Sequence, residues 1–449
     1  MGIGFHRLSI NDTTNAGMQP FKNKTQYLIC NGEIYNYKRL IDKYNLSSKS
    51  TSDCECLLEL FNKLNYKEFC AELDGVFAII IWDSFDKTVT FARDPLGVRP
   101  LFVGRSHNNI IISSEVKGIP NAWNISPVKP GTLNIICTHC SYDVTVSYIN
   151  LYNYDRLCLV NNDISNVRVL LEEAVKKRLL SDRPIGCLLS GGLDSTIITA
   201  LVQKNSKQKV KTFSIGLKDS PDLKHAKIAS DFIGTDHTEI IVTEEELRNA
   251  IADTIYQIES YDLTTVRAST PMFLLSKYIK ENTDITVIFS GEGADEIFGS
   301  YLYFRNAPTK EAFQEETVRL LKDLHYFDIL RGDRTTAGAG LEIRVPFLDK
   351  SFVRYCVTIP PEYKQEQPEK KILREAFKDI IPDEIYKRTK EAFSDGVSPV
   401  STITPWYHSE TELEDYKKIY LKHYRDGLVP YLWRPKWCDE LDPSARKYI

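Results

Sequence analysis

The spacing of apolar and polar residues differs between the two halves of the chain. In the first half, short apolar runs at positions 27–30, 76–82 and 109–112 are separated by Gly, Pro, Asn and Asp residues. Short runs closed by turn-forming residues are typical of strands, so residues 1–150 are predicted to form a mostly antiparallel domain. One stretch, 55–64, has helical spacing instead.

After residue 165 the pattern alternates between strand-like and helical segments. Apolar runs of strand length occur at 185–189, 210–217, 238–242 and 285–289, and helical spacing occurs at 167–180 and 197–202. This alternation predicts a doubly wound parallel α/β sheet in a second domain, residues 165–449, with a helical part from about residue 372. Residues 150–165 are predicted to be a linker centred on Asn161, Asn162 and Asp163.

Composition narrows the class of protein. The chain is 42% hydrophobic and 26% charged, and its net charge of −4 offers no basic surface for nucleic acid or an anionic membrane. No apolar run approaches the ~20 residues that span a bilayer, and the N-terminus does not resemble a secretory signal. We therefore expect a cytoplasmic protein. Among the ten scattered cysteines, Cys137-x-x-Cys140 lacks the second ligand pair of a zinc site, so plain thiols are the favoured interpretation.

A glycine-rich loop, Ser-Gly-Gly-Leu-Asp-Ser at 190–195, lies between a predicted strand and a predicted helix. Glycines allow close approach of the backbone to a ligand, and N–H groups at a helix start favour an anion. A carboxylate in such a loop has to bind a cation, which makes Asp194 a candidate Mg²⁺ ligand. Since the Walker pattern and its lysine are absent, the loop favours pyrophosphate as a leaving group, with chemistry at the α-phosphate. The alternative is a tight turn with a capping Ser or Asp.

A second loop, Ser-Gly-Glu-Gly-Ala-Asp-Glu at 290–296, repeats this arrangement. Because the carboxyl ends of parallel strands face one crevice, both loops are predicted to bind one ligand, with Asp194 and Asp295 sharing Mg²⁺. Glu292 remains as a candidate acid or base, the alternative being a solvated loop residue.

The two loops resemble those of the PP-loop ATP pyrophosphatase superfamily. Motifs at 219–222, 261–269, 344–349 and 390–396 narrow the resemblance to asparagine synthetases, and it covers nearly the whole chain. It implies that the β-carboxylate of aspartate attacks the α-phosphate of ATP, giving β-aspartyl-AMP and pyrophosphate. Ammonia then attacks the acyl carbon, and AMP leaves as asparagine forms.

The resemblance also assigns residues to this chemistry. Catalytic roles are implied for Glu292 and Lys390, the lysine facing negative charge that develops in the transition states. Aspartate contacts are implied for Thr264, Thr265 and Arg267, which could equally be ordinary structural residues. ATP contacts are implied for Leu189, Ser190, Gly191, Gly192, Asp194, Ser195, Ile215, Ser290 and Gly291.

The first domain resembles class II glutamine amidotransferases in residues 31–36 and 93–102. The resemblance implies an Ntn-type αββα sandwich that is truncated here, because the segment 4–8 matches sequence well inside such domains. An oxyanion hole is implied at Asn31 and Gly32. Glutamine-binding roles are implied for Arg7, Leu8, Ser9, Ile10, Asn11, Asn31, Gly32, Glu33 and Asp53.

One expected residue has no counterpart. Relatives begin with a nucleophilic cysteine, whereas residue 2 here is Gly2 and the first cysteine is Cys30, inside a predicted strand. Three interpretations stay open: a shortened glutamine-hydrolysing enzyme, an enzyme that uses free ammonia, or a non-catalytic nucleotide-binding relative. A β-lactam synthetase-like enzyme or a tRNA thiolase are further alternatives. The expected partners are aspartate, ATP and glutamine or ammonia, with a homodimer left open.

Overall fold

The structure is a computed structural model that describes residues 1–107, 109–140, 143–154, 164–399, 406–407, 411–428 and 431–438. Its residues form two compact units. The N-terminal unit comprises 1–151 and 180–183, and the C-terminal unit comprises 152–179 and the chain from 184 onward. The predicted centre of the linker, 161–163, lies outside the described residues.

Strands dominate the described part of the N-terminal unit. They are β1 (Phe21–Lys22), β2 (Gln26–Ile34), β3 (Gly75–Asp83), β4 (Thr88–Arg93), β5 (Phe102–Ser106), β6 (Asn109–Ser113), β7 (Asn124–Pro127), β8 (Thr132–Cys137) and β9 (Asp143–Ser147). The helices are α1 (Tyr37–Tyr44), α2 (Leu57–Lys63) and α3 (Tyr66–Glu72), with short 3₁₀ turns at Asn15–Gly17 and Val116–Gly118.

The strands form two antiparallel sheets, in the orders β1-β2-β3-β4-β8-β9 and β6-β5-β7. The side chains of β3 show how the layers arise, since successive residues of a strand face opposite sides. Phe77 and Ile79 pack among residues of the three helices, whereas Ala78 and Ile80 pack against the three-stranded sheet. The expected antiparallel sandwich is confirmed. Its described residues form one helical layer and two sheets.

The C-terminal unit alternates strands and helices around one sheet. Its strands are β10 (Ile185–Leu188), β11 (Lys211–Gly216), β12 (Asp236–Ile241), β13 (Val287–Phe289) and β14 (Glu342–Arg344). The helices before β14 are α4 (Ile164–Arg178), α5 (Leu193–Lys204), α6 (Pro221–Ile233), α7 (Glu244–Ile258), α8 (Leu263–Asn282), α9 (Ala294–Phe298), α10 (Lys310–Asp323) and α11 (Asp328–Gly338).

Short helices follow β14, and those after about residue 372 agree with the helical part that the sequence predicts. They are α12 (Lys350–Cys356), α13 (Pro361–Lys364), α14 (Lys371–Phe377), α15 (Asp383–Lys387), α16 (Phe393–Gly396) and α17 (Glu412–Tyr420). Short 3₁₀ turns occur at Leu302–Asn306, Leu324–Tyr326, Pro346–Leu348 and Lys378–Ile380.

The sheet of the C-terminal unit has the order β12-β11-β10-β13-β14, and all of its pairings are parallel. The predicted doubly wound sheet is therefore confirmed. The chain builds outward from β10 through β11 and β12, then crosses back to place β13 on the other side of β10. In such sheets ligands bind outside the carboxyl ends of the strands where the order reverses, which here is the β10/β13 boundary.

None of the helices in the described part of the chain combines the length and apolar character needed to span a bilayer.

Candidate active site

The two glycine-rich loops lie side by side, because β10 and β13 are hydrogen-bonded neighbours and each loop follows one of them. Gly191 has a φ of 68°, and a Cβ there would lie 2.2 Å from the backbone carbon of His225. Only glycine fits that position without displacing α6. Gly192 then leads into α5, whose first turn receives no side-chain cap from it, so N–H groups of the turn remain available to an anion.

The loops also touch each other. A Cβ on Gly291 would lie 2.8 Å from the backbone nitrogen of Ser195 and 3.0 Å from the carbonyl carbon of Asp194. Both distances are shorter than ordinary contacts to a side chain, so glycine permits an approach that another residue would block.

Both loops line one cavity of about 240 Å³ at the reversal of strand order. Of the residues implied to bind ATP, all but Gly191 line it, together with Glu292, Asp295 and Lys390. Ile215, at the carboxyl end of β11, contributes to its apolar wall with Phe213 and Phe393. The structure thus brings together the ATP-binding and catalytic residues that the resemblance implies.

Two carboxylates and two lysines form a charge cluster in this cavity. The ammonium group of Lys370 lies between Asp194 and Asp295, pairing with Asp194 Oδ2 and lying 2.6 Å from Asp295 Oδ1. Lys390 Nζ lies 2.6 Å from Asp295 Oδ2. Lysine side chains therefore hold the two aspartates that the sequence predicts as Mg²⁺ ligands.

Burial and charge compete in setting the pKa of each carboxyl. Burial alone would raise the pKa of Asp295, but the two lysines more than offset it and hold that pKa well below its usual range. The pKa of Asp194 is raised by burial and by the charge of Asp295, which Lys370 offsets only in part. Asp194 lines the cavity, and its Oδ1 is buried with no hydrogen-bond partner in the described structure.

A second group of charges lines the same cavity. Glu292 Oε2 lies 2.7 Å from Arg331 Nη2, and the same guanidinium lies 3.1 Å from Asp328 Oδ1. Tyr301 donates its hydroxyl to Asp328 at 3.0 Å. Burial raises the pKa of Glu292 to about 7, with Arg331 opposing and Asp328 reinforcing the shift. Glu292 is therefore a half-buried carboxyl that pairs with Arg331 and has a pKa close to neutral pH.

The residues implied to contact aspartate are placed differently. Thr264 lines the cavity, but Thr265 and Arg267 do not. Both threonines donate their hydroxyls to Asp262 Oδ2, each at 2.8 Å, and so stabilise the start of α8. Arg267 Nε lies 2.9 Å from Glu412 Oε1, so its guanidinium is engaged in an ion pair outside the cavity wall. This geometry therefore does not favour the expected direct contact between Arg267 and aspartate.

In the N-terminal unit, five of the residues implied to bind glutamine lie in or beside the last part of β2, namely Asn11, Asn31, Gly32, Glu33 and Asp53. Gly32 has a φ of 151°, and a Cβ there would lie 2.0 Å from the carbonyl oxygen of Val76, so glycine is required. Asn31 is exposed. Glu33 accepts a hydrogen bond from Asn11, and Asp53 Oδ2 accepts the backbone N–H of Ile34 at 2.7 Å.

The segment implied to bind the glutamine α-carboxylate is folded onto itself. Arg7 donates to the backbone carbonyls of Thr14 at 2.7 Å, Asn11 at 3.1 Å and Asp12. Leu8 is 41% exposed and Ile10 is buried, while the Ser9 carbonyl accepts from Arg183 Nε at 3.0 Å. The Arg7 guanidinium therefore stabilises a turn, which differs from the expected contact with a ligand.

Comparisons with known proteins decide the family. A family model described as asparagine synthase matches residues 166–311 and 305–418, and one described as a glutamine amidotransferase domain matches residues 1–141. A probable glutamine-hydrolysing asparagine synthetase of Acanthamoeba polyphaga mimivirus is 40% identical over 99% of this chain and 90% of its own. This chain belongs to the asparagine synthetase family. The glutamine-hydrolysing asparagine synthetases of Homo sapiens and Gallus gallus are 38% and 40% identical, each over 99% of this chain and 90% of the relative.

The sequence of this asparagine synthetase family member did not indicate several residues that line the cavity. Lys370 stands beside Lys371 in a charged stretch, and nothing local distinguishes the buried lysine from its exposed neighbour. Arg331 and Asp328 begin α11 far from both loops in the chain. A spacing of three residues on one helix places both on the same face, but only the tertiary fold shows that this face meets Glu292.

Proposed function

We propose that this chain makes L-asparagine from L-aspartate and ATP through β-aspartyl-AMP, releasing AMP and pyrophosphate. The observation that carries the proposal is the single cavity at the β10/β13 boundary. It joins a glycine-rich anion-binding loop, two lysines and a half-buried glutamate whose pKa is near 7. Those are the groups needed to bind a nucleotide, stabilise a leaving pyrophosphate and transfer a proton.

In the first step the β-carboxylate of aspartate attacks the α-phosphorus, and the bond to the bridging oxygen of pyrophosphate breaks. Negative charge grows on the leaving group and on the α-phosphoryl oxygens. Lys370 and Lys390 both lie beside the loops that would bind the phosphates, and we assign them to stabilise that charge. When the nucleotide binds, the two lysines would give up some of their contacts with Asp194 and Asp295 and contact phosphate oxygens instead.

The residues present fit a magnesium ion. Mg²⁺ is usually bound through one or two carboxylates together with substrate phosphates. Asp194 offers an unpaired buried oxygen and Asp295 a second carboxylate, and no cluster of three or more His, Cys, Asp or Glu ligands occurs among the described residues. We therefore assign Asp194 and Asp295 as its ligands. Bound there, the ion would neutralise phosphate charge.

In the second step neutral ammonia attacks the acyl carbon, and the bond to the AMP oxygen breaks. The attacking nitrogen becomes positively charged and has to lose a proton. Glu292 is suited to accept it, because its pKa of about 7 allows the carboxylate to gain and release a proton near neutral pH. Arg331 pairs with that carboxylate and is itself paired with Asp328. We assign these two residues and Thr264, all of which line the cavity, to bind aspartate.

Glutamine is the proposed nitrogen donor, with free ammonia as the alternative source. The proposal for the N-terminal unit assigns Asn31 and the N–H of Gly32 to polarise the glutamine amide, and Asp53 and Glu33 to the amino-acid end. We extend the proposal to the cytoplasm, since no disulfide joins the described cysteines and reduced thiols are usual there.

The test measures asparagine, AMP and pyrophosphate formed by the purified chain from aspartate, ATP and Mg²⁺, with ammonia and then with glutamine. We expect equal amounts of the three products with ammonia. Lys390→Ala should lower the rate about 100-fold or more, whereas Lys387→Ala should not, because Lys387 is 73% exposed and pairs only loosely with Asp383. Formation of ADP in place of AMP would refute the proposal.

A further inference from the structure

Arg374, in the middle of α14, binds two separate segments of the C-terminal unit. Its guanidinium Nε donates to the carbonyl of Glu369 at 2.8 Å, and Nη2 donates to the Glu369 carboxylate at 2.6 Å. The same side chain donates to the carbonyls of Tyr386, Ile385 at 3.3 Å and Arg388 at 2.9 Å. Arg374 is 2% exposed, so these bonds are made in a region shielded from solvent.

Glu369 completes the connection between the two segments. Its Oε1 accepts the backbone N–H of Lys390 at 2.9 Å in addition to the bond from Arg374. Glu369 is also the residue immediately before Lys370. The Glu369–Arg374 pair thus joins the backbone that carries Lys370 to the backbone that carries Lys390.

We propose that the Glu369–Arg374 pair positions the two lysines for catalysis, with neither residue taking part in the chemistry. The proposal rests on the proposed function of the cavity. Both ammonium groups reach Asp295 at 2.6 Å from segments twenty residues apart. The pair holds the backbone segments that carry Lys370 and Lys390, so it fixes where the two ammonium groups lie relative to the nucleotide loops.

The backbone at Lys370 supports this assignment. Lys370 has a φ of 57°, in the left-handed region that residues other than glycine seldom adopt. Such a conformation persists only where the surroundings determine it, and here Glu369 is held on both its carbonyl and its carboxylate. Releasing Glu369 would let the residue return to a more usual conformation and carry the ammonium group out of the space between Asp194 and Asp295.

The test compares Glu369→Ala and Glu369→Gln with Glu366→Gln in the full chain. Glu366 pairs with Lys371 at the surface, where both side chains are more than 40% exposed, so its variant controls for loss of a nearby ion pair. We expect Glu369→Ala to lower kcat about 10- to 100-fold, as a shift of about 1 Å in a catalytic group can do. KM for aspartate should stay unchanged. Glu369→Gln should recover part of the loss, because its amide oxygen still accepts the Lys390 N–H.

Two further readouts separate positioning from a merely structural role. Thermal unfolding gives the fraction folded at the assay temperature, and calorimetry with ATP and Mg²⁺ measures nucleotide affinity without turnover. A Glu369→Gln variant that unfolds earlier but keeps the wild-type kcat and nucleotide affinity would overturn the proposal. If the wild-type chain formed no asparagine, the proposed function would be refuted instead. The positioning role of the Glu369–Arg374 pair would then be tested by nucleotide affinity alone.

Discussion

Replacing Gly291 by alanine tests whether the two nucleotide loops have to approach as closely as the structure shows. The added Cβ would lie 2.8 Å from the backbone nitrogen of Ser195, about 0.6 Å closer than the 3.4 Å at which ordinary contact begins. The clash is with backbone, so no side chain can rotate away. Gly291 does not have a positive φ, so the substitution adds steric overlap without backbone strain.

One of the loops therefore has to move by several tenths of an ångström. A displacement of about 1 Å at a reacting centre can cost about 100-fold in rate, so we expect Gly291→Ala to lower kcat with ammonia about 10- to 100-fold. That corresponds to about 1.4–2.7 kcal/mol in activation free energy. Overpacking should also lower the free energy of unfolding by about 1–3 kcal/mol.

The assay measures AMP formed with saturating aspartate, ATP and ammonia, at a temperature where circular dichroism shows the variant fully folded. Gly192→Ala, in the opposite loop, is the matched comparison, because its Cβ would meet only the Ser190 hydroxyl at 3.4 Å. We expect it to lose less activity than Gly291→Ala. Wild-type kcat in the folded Gly291→Ala variant would refute the reasoning that contact between the loops sets the geometry of the site.

Three further predictions concern stability and substrate binding. The pKa of Asp349 is lowered from 3.8 to about 2, because its two cationic partners outweigh burial. Asp349→Asn should therefore lower the free energy of unfolding, measured in urea at pH 7, by about 2 kcal/mol. The control Asp383→Asn, at an exposed position, should not change that free energy measurably. The pKa of Glu292 is raised from 4.5 to about 7, so the folded state retains that proton longer. Stability should fall as pH rises from about 5 to 7, and less in Glu292→Gln. Glu412→Gln should reproduce any effect of Arg267→Gln on KM for aspartate, because the two side chains form one ion pair.

The glycine-rich loops could be predicted from the sequence because their chemistry is local. A Ser-Gly start, a carboxylate and a flanking strand and helix are all visible within a few residues. The doubly wound sheet also followed from the alternation of segments, and this fold places the two loops at neighbouring strand ends.

The partners of those loops were less predictable, because they depend on tertiary contacts between distant residues. Asp194 and Lys370 are 176 positions apart, and Arg267 and Glu412 are 145 apart. A charged residue near a motif looks the same in sequence whether it faces the ligand or is held by another side chain. For Arg267 the resemblance implied contact with the ligand, and in the structure its guanidinium pairs with Glu412.

The helices of the N-terminal unit show a related limit. Only α2 was predicted, although α1 also has apolar residues at helical spacing, and all three helices have seven or eight residues. Segments of that length are stable as helices mainly through packing against the sheet, so their sequence alone carries a weak signal.

The most direct test of the account uses aspartate labelled with ¹⁸O in its β-carboxylate, with ATP, Mg²⁺ and ammonia. If that carboxylate attacks the α-phosphorus, one labelled oxygen remains on phosphorus when the acyl bond breaks. We predict one ¹⁸O atom in the AMP phosphate for each asparagine formed, and none in pyrophosphate. Labelled inorganic phosphate with ADP would show attack at the γ-phosphorus and would contradict the account.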